Sequence, residues 1–231
     1  MQASETKMIK FMSVNGIQFI IPIYQRNYDW GTKECKQLLD DILRAGIEKN
    51  INAHFIGSIV FTKDDLYTTS DINELMIIDG QQRLTTLTLI YIVLYRFYKY
   101  KKDHGKAQEI METYLINKFA NDEQRIKLKS IDNNDEAIKF LINENDPSDF
   151  NKYSKVIENY NFFYENINEE NIDYIIIGLR KLMFVEISLD KTKDDPQRIF
   201  ESLNSTGLDL SQADLIRNYI LMDLDKNLQV D

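Results

Sequence analysis

Apolar positions recur along this chain in two rhythms, one of period two and one of three to four, and the switches between them mark the expected elements. A β-like run over 17–21 stops at Pro22, which cannot donate to a sheet ladder. Past Gly31, residues Leu38, Leu39, Ile42 and Leu43 share one face of a helix that Thr32 can cap and Gly46 can end. The run "HFIGSIVF", 54–61, reads as a buried strand in which Gly57 marks a bulge or a close approach. Another strand is expected over 74–79. A helix from Gln81 to about Lys99 then sets Leu84, Leu87, Tyr91, Leu94 and Tyr98 at steps of three or four, the amphipathic spacing.

From 105 to about 175 the chain becomes rich in Asn, Glu, Asp, Lys and Tyr. Apolar residues still recur, in pieces such as "EAIKFLI" and "YSKVIENYNFFYENI" on either side of Pro147, so a helical insertion is expected and not a disordered linker. "KLMFVEISLD", 181–190, returns to strand. Helices near 197–203 and 212–223, joined by "NSTGLDLS", close the chain, and no internal repeat stands out. The expected organisation is an α/β core begun by 1–104, a mostly helical insertion or subdomain over 105–178, and a strand with a helical hairpin over 179–231 that completes the core.

Composition narrows the chemistry. In 231 residues, 43% are hydrophobic and 28% charged, enough for one sizeable core. The net charge of -9 repels phosphate backbones, so a nucleic-acid contact would need a local basic patch. The candidates are "RFYKYKKDHGK", 96–106, and "QRIKLK", 124–129, although lysines at a helix C-terminus are also what the helix dipole favours. A lone cysteine, Cys35, excludes an internal disulfide framework and a cysteine zinc cluster. His54 and His104 are 50 positions apart and form no metal spacing, so no metal ligands are assigned. The longest apolar stretch, "LIYIVLYRFYKY", is interrupted by Arg96 and Lys99 and is too short to span a bilayer. A soluble protein of a reducing compartment, with a cytoplasmic location and no membrane partner, is expected.

Three stretches concentrate candidate chemistry. In "IIDGQQRLTTL", 77–87, Asp79 and Gln82 have the spacing of a capping box, with Gly80 between them. Arg83 is not explained by a cap: a cation in the first helical turn faces the positive end of the dipole, at a cost of ~0.3–1 kcal/mol if exposed. It calls for a negative partner, either a protein carboxylate or an anionic ligand over the free amides of the helix start. Salt-bridged arginines outnumber phosphate ligands, so local sequence favours the internal partner. In "IPIYQRNYDW", 21–30, Tyr28 and Trp30 suit a loop that completes the core, whereas Gln25 and Arg26 have no evident reason to be enclosed. In "RIFESLNSTGLDLSQADLIRNYIL", 198–221, Ser211 and Asp214 match a capping box and Asn204 and Gly207 suit an irregular turn. The connector is long for a helix-turn-helix and its second helix has a single basic residue before Lys226, which argues against DNA reading by that helix.

Taken together, "IPIYQRNYDW", "HFIGSIV", "IIDGQQRLTTL" and "FESLNSTGLDLSQADLIRN", in this order, resemble the N-terminal domain of GmrSD-type modification-dependent restriction endonucleases. The likeness runs from Ile21 to Asn218, apart from the Asn-rich middle. It implies an α+β fold, with a small mixed β-sheet of ParB/sulfiredoxin-like type packed with helices and a largely helical insertion. It also implies nucleoside triphosphate binding and hydrolysis at Asp79, Gly80, Gln81, Gln82 and Arg83, with Tyr24, Gln25 and Arg26 lining the same pocket and Asn204, Arg198 and Asp214 contributing from the closing block. Asp79 and Arg83 are then the catalytic candidates, and Mg2+ a companion of the nucleotide. No Gly-x-x-x-x-Gly-Lys-Ser/Thr loop is present, so the site would not be a P-loop.

The resemblance implies a regulatory domain for phage defence that controls a nuclease, C-terminal or separate, and that meets modified DNA through the full-length protein. The histidine- and asparagine-based nuclease motif of such relatives has no counterpart here, so this chain alone is not expected to cut DNA. A homo-oligomer is compatible with the sequence. The competing reading is a non-catalytic DNA-recognition or scaffold module of the same fold. The two differ in whether Asp79 and Arg83 open into a pocket shared with Gln25 and Arg26, or pair with each other and close it.

Overall fold

The structure, a computed structural model, describes residues 1–63, 72–190, 194 and 199. In chain order the elements are β1 (Gln2–Lys7), α1 (Met8–Ser13), β2 (Ile17–Ile20), α2 (Thr32–Ile47), β3 (His54–Lys63), β4 (Asn73–Asp79), α3 (Gln81–Tyr100), α4 (His104–Ile110), a π-helical turn (Met111–Leu115), β5 (Leu128–Lys129), α5 (Asp132–Ile142), a short 3-10 turn (Pro147–Asp149), α6 (Lys155–Asn166), α7 (Ile172–Lys181) and β6 (Leu182–Leu189). The fold is α+β. Among the described residues six strands form a mixed sheet in the order β1-β6-β3-β4-β2-β5. β6 and β3 are parallel, as are β4, β2 and β5, while β1 with β6 and β3 with β4 are antiparallel.

Period-two alternation sorts the strands onto two faces. Leu75 and Ile77 of β4, Ile59 and Phe61 of β3 and Phe184 of β6 enter the main core, whereas Val60, Ile78 and Leu189 form a second cluster with Met76, Ile187 and Ile199. Phe11 of α1 plugs the main face: its ring lies 4.9 Å from Phe19, 5.0 Å from Phe184 and 5.7 Å from Phe61.

The strands and helices expected up to residue 100 are present, but three local readings are corrected. The cap of α2 is Gly31, not Thr32, and the Glu34 carboxylate accepts the Gly31 N–H at 2.9 Å. Gly46 does not end α2; it lies within the helix, where α7 crosses. A Cβ there would sit 1.9 Å from the Tyr174 carbonyl oxygen, and one at Gly178 would sit 2.0 Å from that of Ile42. The pair lets the two backbones touch, which no larger residue permits. Finally, α3 is not amphipathic: it is buried without a break from Leu84 through Tyr95, enclosed by α4, the π-helical turn, α5 and α6.

That enclosure is how the Asn-rich middle joins the fold. Its helices place Ile138, Leu141, Tyr160 and Phe163 in the main core, and β5 extends the sheet beside β2. Lys127, just before β5, is buried, and its ammonium donates to the carbonyls of Thr113 (2.6 Å), Val14 (2.9 Å) and Met12 (3.2 Å). Among the described residues no helix is long and apolar enough to cross a membrane. Apart from Ile199, the helices expected near 197–203 and 212–223 lie outside the described residues.

Candidate functional site

β4 and α3 meet at Gly80, whose φ of +94° is left-handed. A Cβ there would fall 2.8 Å from Ile59 Cγ1 and 3.0 Å from the Ser58 carbonyl oxygen, so both backbone conformation and contact with β3 demand glycine. Gly80 is the N-cap of α3, and among the described residues the helix has no side-chain cap. The capping box expected of Asp79 and Gln82 does not form, because Gln82 is drawn sideways into the loop between β2 and α2.

The glutamines fasten that loop. Gln82 Oε1 accepts the N–H groups of Asp29 (2.9 Å) and Trp30 (3.2 Å), and its Nε2 donates to the Asn27 carbonyl at 3.2 Å. Gln81 Nε2 donates to Gln25 Oε1 at 3.1 Å and to the Arg26 carbonyl at 3.0 Å. Gln25 Nε2 in turn donates to the carbonyl of Ile78 in β4 at 2.8 Å. Burial of these three amides is thus balanced by bonds to backbone groups that would otherwise be orphaned. Tyr24 is buried beside them, and burial pushes its phenol well above the ordinary range.

Further along the loop, Tyr28 and Trp30 pack on the core as their composition suggests. The Tyr28 hydroxyl lies 2.7 Å from Thr86 Oγ1 and takes a bond from Asn159 Nδ2 at 3.1 Å; the same amide donates to the Trp30 carbonyl at 2.7 Å. Lys155 reaches Asp29 through its backbone carbonyl, at 2.8 Å, and through its carboxylate. Asn159, Thr86 and Lys155 escaped the sequence reading. For Asn159 a signal existed: with Val156, Tyr160 and Phe163 it occupies the buried stripe of α6, an asparagine where a hydrophobe is expected.

Arg83 stands in the first turn of α3. Its Nη1 donates to the Ile56 carbonyl at 2.8 Å, and its Nη2 lies 3.5 Å from Asp79 Oδ2. Desolvation lowers its pKa, and the Asp79 charge opposes that shift. The guanidinium also lies over Gly57 of β3: a Cβ there would be 2.2 Å from Nη1, and φ is +99°. Gly57 is both the close approach and the bulge, since the β3–β6 register shifts between Phe55 and Ser58. The side chains of Arg83 and Asp79 remain 21% and 24% exposed, so their contact does not seal the junction.

Asp79, Gly80, Gln81, Gln82, Arg83, Tyr24, Gln25 and Arg26 therefore gather where β4 passes into α3. The side chain of Arg26, half-buried, forms no ion pair among the described residues. Asn204, Arg198 and Asp214 lie outside the described residues. No group of three potential metal ligands occurs among the described residues. The basic cluster at the end of α3 is occupied internally: Arg96 donates to the carbonyls of Leu141 (2.5 Å) and Asn145 (2.9 Å), Lys99 pairs with Glu144 (2.5 Å) and Lys101 with Glu169.

Comparison with curated proteins gives no match. The family model for the N-terminal domain of GmrSD restriction endonucleases matches residues 8–221, which takes in every strand of the sheet but β1 and the helices around α3. The glutamine-fastened junction thus belongs to a known kind of module, and the chain is a member of the GmrSD restriction endonuclease N-terminal domain family.

Proposed function

We propose that this domain binds a nucleoside triphosphate at the β4–α3 junction and thereby regulates a nuclease within a DNA restriction system that defends against phage. Family membership supplies the restriction system and implies a nuclease domain and DNA as partners of the full-length protein. The observation that carries the nucleotide reading is the uncapped start of α3 with a partly exposed cation in its first turn. The first amides of this 20-residue helix have no side-chain cap among the described residues, and the partly exposed Arg83 guanidinium stands beside them. Backbone N–H groups, helix dipole and guanidinium together form an anion site.

The residues fit the triphosphate by division of labour. Gln25, Gln81, Gln82 and Gly80 hold the loop and the turn; Arg83 and Arg26 supply positive charge; Asp79 is the carboxylate of the junction. A magnesium ion that arrives with a triphosphate needs only one or two protein carboxylates, a role open to Asp79. Bound there, the ion would withdraw charge from phosphate oxygens. Turnover would use Asp79 to orient water and Arg83 to neutralise phosphate charge.

The test is calorimetric titration of the four ribonucleoside triphosphates, with magnesium, into the wild-type chain and Arg83→Ala. Saturable binding, weakened at least tenfold by the substitution, is expected, followed by phosphate-release assays with and without DNA. A folded wild-type chain that binds none of them at high micromolar concentration would favour the scaffold or DNA-module reading, with Arg83 serving as an ion-pair residue.

A further inference from the structure

A cavity of about 430 Å³ opens between α1, α3, α4, the π-helical turn and α7, away from the junction. It begins at Tyr91, eight residues beyond Arg83 and so about 12 Å along α3. Its size is that of a small-molecule site. Ile9, Leu94, Ile110 and Leu179 make apolar walls. Across it the π-helical turn presents Tyr114, whose ring stacks on Tyr91 with centroids 4.1 Å apart and planes at 11°. π-Helical turns recur at functional sites because they rotate one residue out of helical register.

Two polar groups here have no protein partner among the described residues. Tyr91 is 4% exposed and lines the cavity, and its hydroxyl makes no hydrogen bond to the protein among the described residues. Arg180, also lining the cavity, forms no ion pair among the described residues. Its charge acts on both tyrosines, lowering their pKa values against the larger upward push of burial. A hydroxyl donor and a guanidinium that line the same cavity can together receive an oxyanion. The other rim charges limit it. Lys106 lies 3.8 Å from Asp103 and over the Tyr98 ring, whereas Glu109 and Asp173 bring negative charge to the same cavity.

We propose that this cavity binds a small planar aromatic monoanion, its ring among the tyrosines and aliphatic walls and its acidic group between the Tyr91 hydroxyl and Arg180. Glu109 and Asp173 disfavour multiply charged ligands, which separates this site from the triphosphate site at the junction.

The test is ligand-observed NMR titration of the full chain with 2-naphthoate, phenyl phosphate and the neutral 2-naphthalenemethanol. 2-Naphthoate is expected to bind with a submillimolar Kd and more tightly than the other two. Tyr91→Phe, which keeps the ring, and Arg180→Ala should each weaken it about tenfold while leaving the neutral alcohol unchanged. Circular dichroism checks that both variants remain folded. Absence of naphthoate binding to the wild-type chain at millimolar concentration would overturn the site. Equal binding by both variants would place the ligand elsewhere, and tighter binding of phenyl phosphate would overturn the monoanion assignment.

Discussion

At the scale of single residues, the "DGQQR" stretch splits into scaffold and charge. Gln82 supplies the acceptor for two loop amides and a donor for a third backbone group, so Gln82→Ala leaves Asp29 and Trp30 N–H groups unpaired. A loss of about 2–3 kcal/mol in urea unfolding is expected, with faster hydrogen exchange at those two amides. Unchanged exchange there would show that the loop is held by other means. Gly57→Ala meets two obstacles, a left-handed φ and the Arg83 guanidinium. It should cost about 1–3 kcal/mol, and less when Arg83→Ala has removed the steric part. A double-mutant cycle that gives simple additivity would contradict this coupling. Arg83 itself was legible as a residue needing a partner, because a cation at a helix start is electrostatically misplaced, and pairing with Asp79, one turn away, was one of the alternatives; the carbonyl of Ile56 in β3 was not legible, since it is 27 positions away.

At the scale of elements, α2 and α7 pack with glycine against backbone on each side. Gly46→Ala and Gly178→Ala should each push the helices apart and lower stability by about 3 kcal/mol, measured by thermal or urea unfolding. Gly105→Ala offers the contrast: its Cβ would meet only Asp103 Oδ1 at 3.8 Å, so in α4 it should be neutral or stabilising by about 0.5–1 kcal/mol. Equal effects at the three positions would refute the close-contact account. Gly46 reads locally as a helix stop because glycine ends helices when nothing else constrains it; Tyr174, which it meets, lies 128 positions later, and no local signal announces it. Lys181 reinforces the same contact by donating to the carbonyls of Ala45 (2.6 Å) and Glu48 (3.2 Å) at the end of α2.

At the scale of the whole molecule, Lys127 ties its own segment to the end of α1 and to the π-helical turn through three carbonyls. Burial pushes its ammonium down to about 8, whereas an unfolded lysine titrates near 10.4. Between these values the unfolded chain holds a proton that the folded chain has released, so stability rises with pH across that window. A gain of about 2 kcal/mol between pH 7.5 and 9.5 is expected in urea unfolding, and Lys127→Met should abolish the slope. Buried tyrosines such as Tyr24 and Tyr91 act in the opposite sense above pH 10, because burial raises their pKa values, so the measurement stops short of that range. A wild-type chain with no pH dependence over this interval would mean that the ammonium is better solvated than its burial implies.

Local periodicity determined most elements: β2, β3, β4, α3, α5, α6 and β6 follow from the spacing of apolar residues, because the side chains of a strand or helix repeat with its own geometry. β1 escaped that reading, since its residues "QASETK" are polar and its strand state comes from pairing with β6 at the sheet edge. Likewise β5 is two residues long and exists only through its ladder with β2. The motif and its order along the chain were enough to indicate the family. What tertiary structure decided was the division of roles within the motif. Hydrogen-bond partners 50 to 60 positions apart turned the glutamines into fasteners. Enclosure by the middle region made α3 a central helix, and the meeting of Tyr91, Tyr114 and Arg180 from three segments made a cavity. Such contacts depend on where distant segments come together in space, and local periodicity carries no record of that.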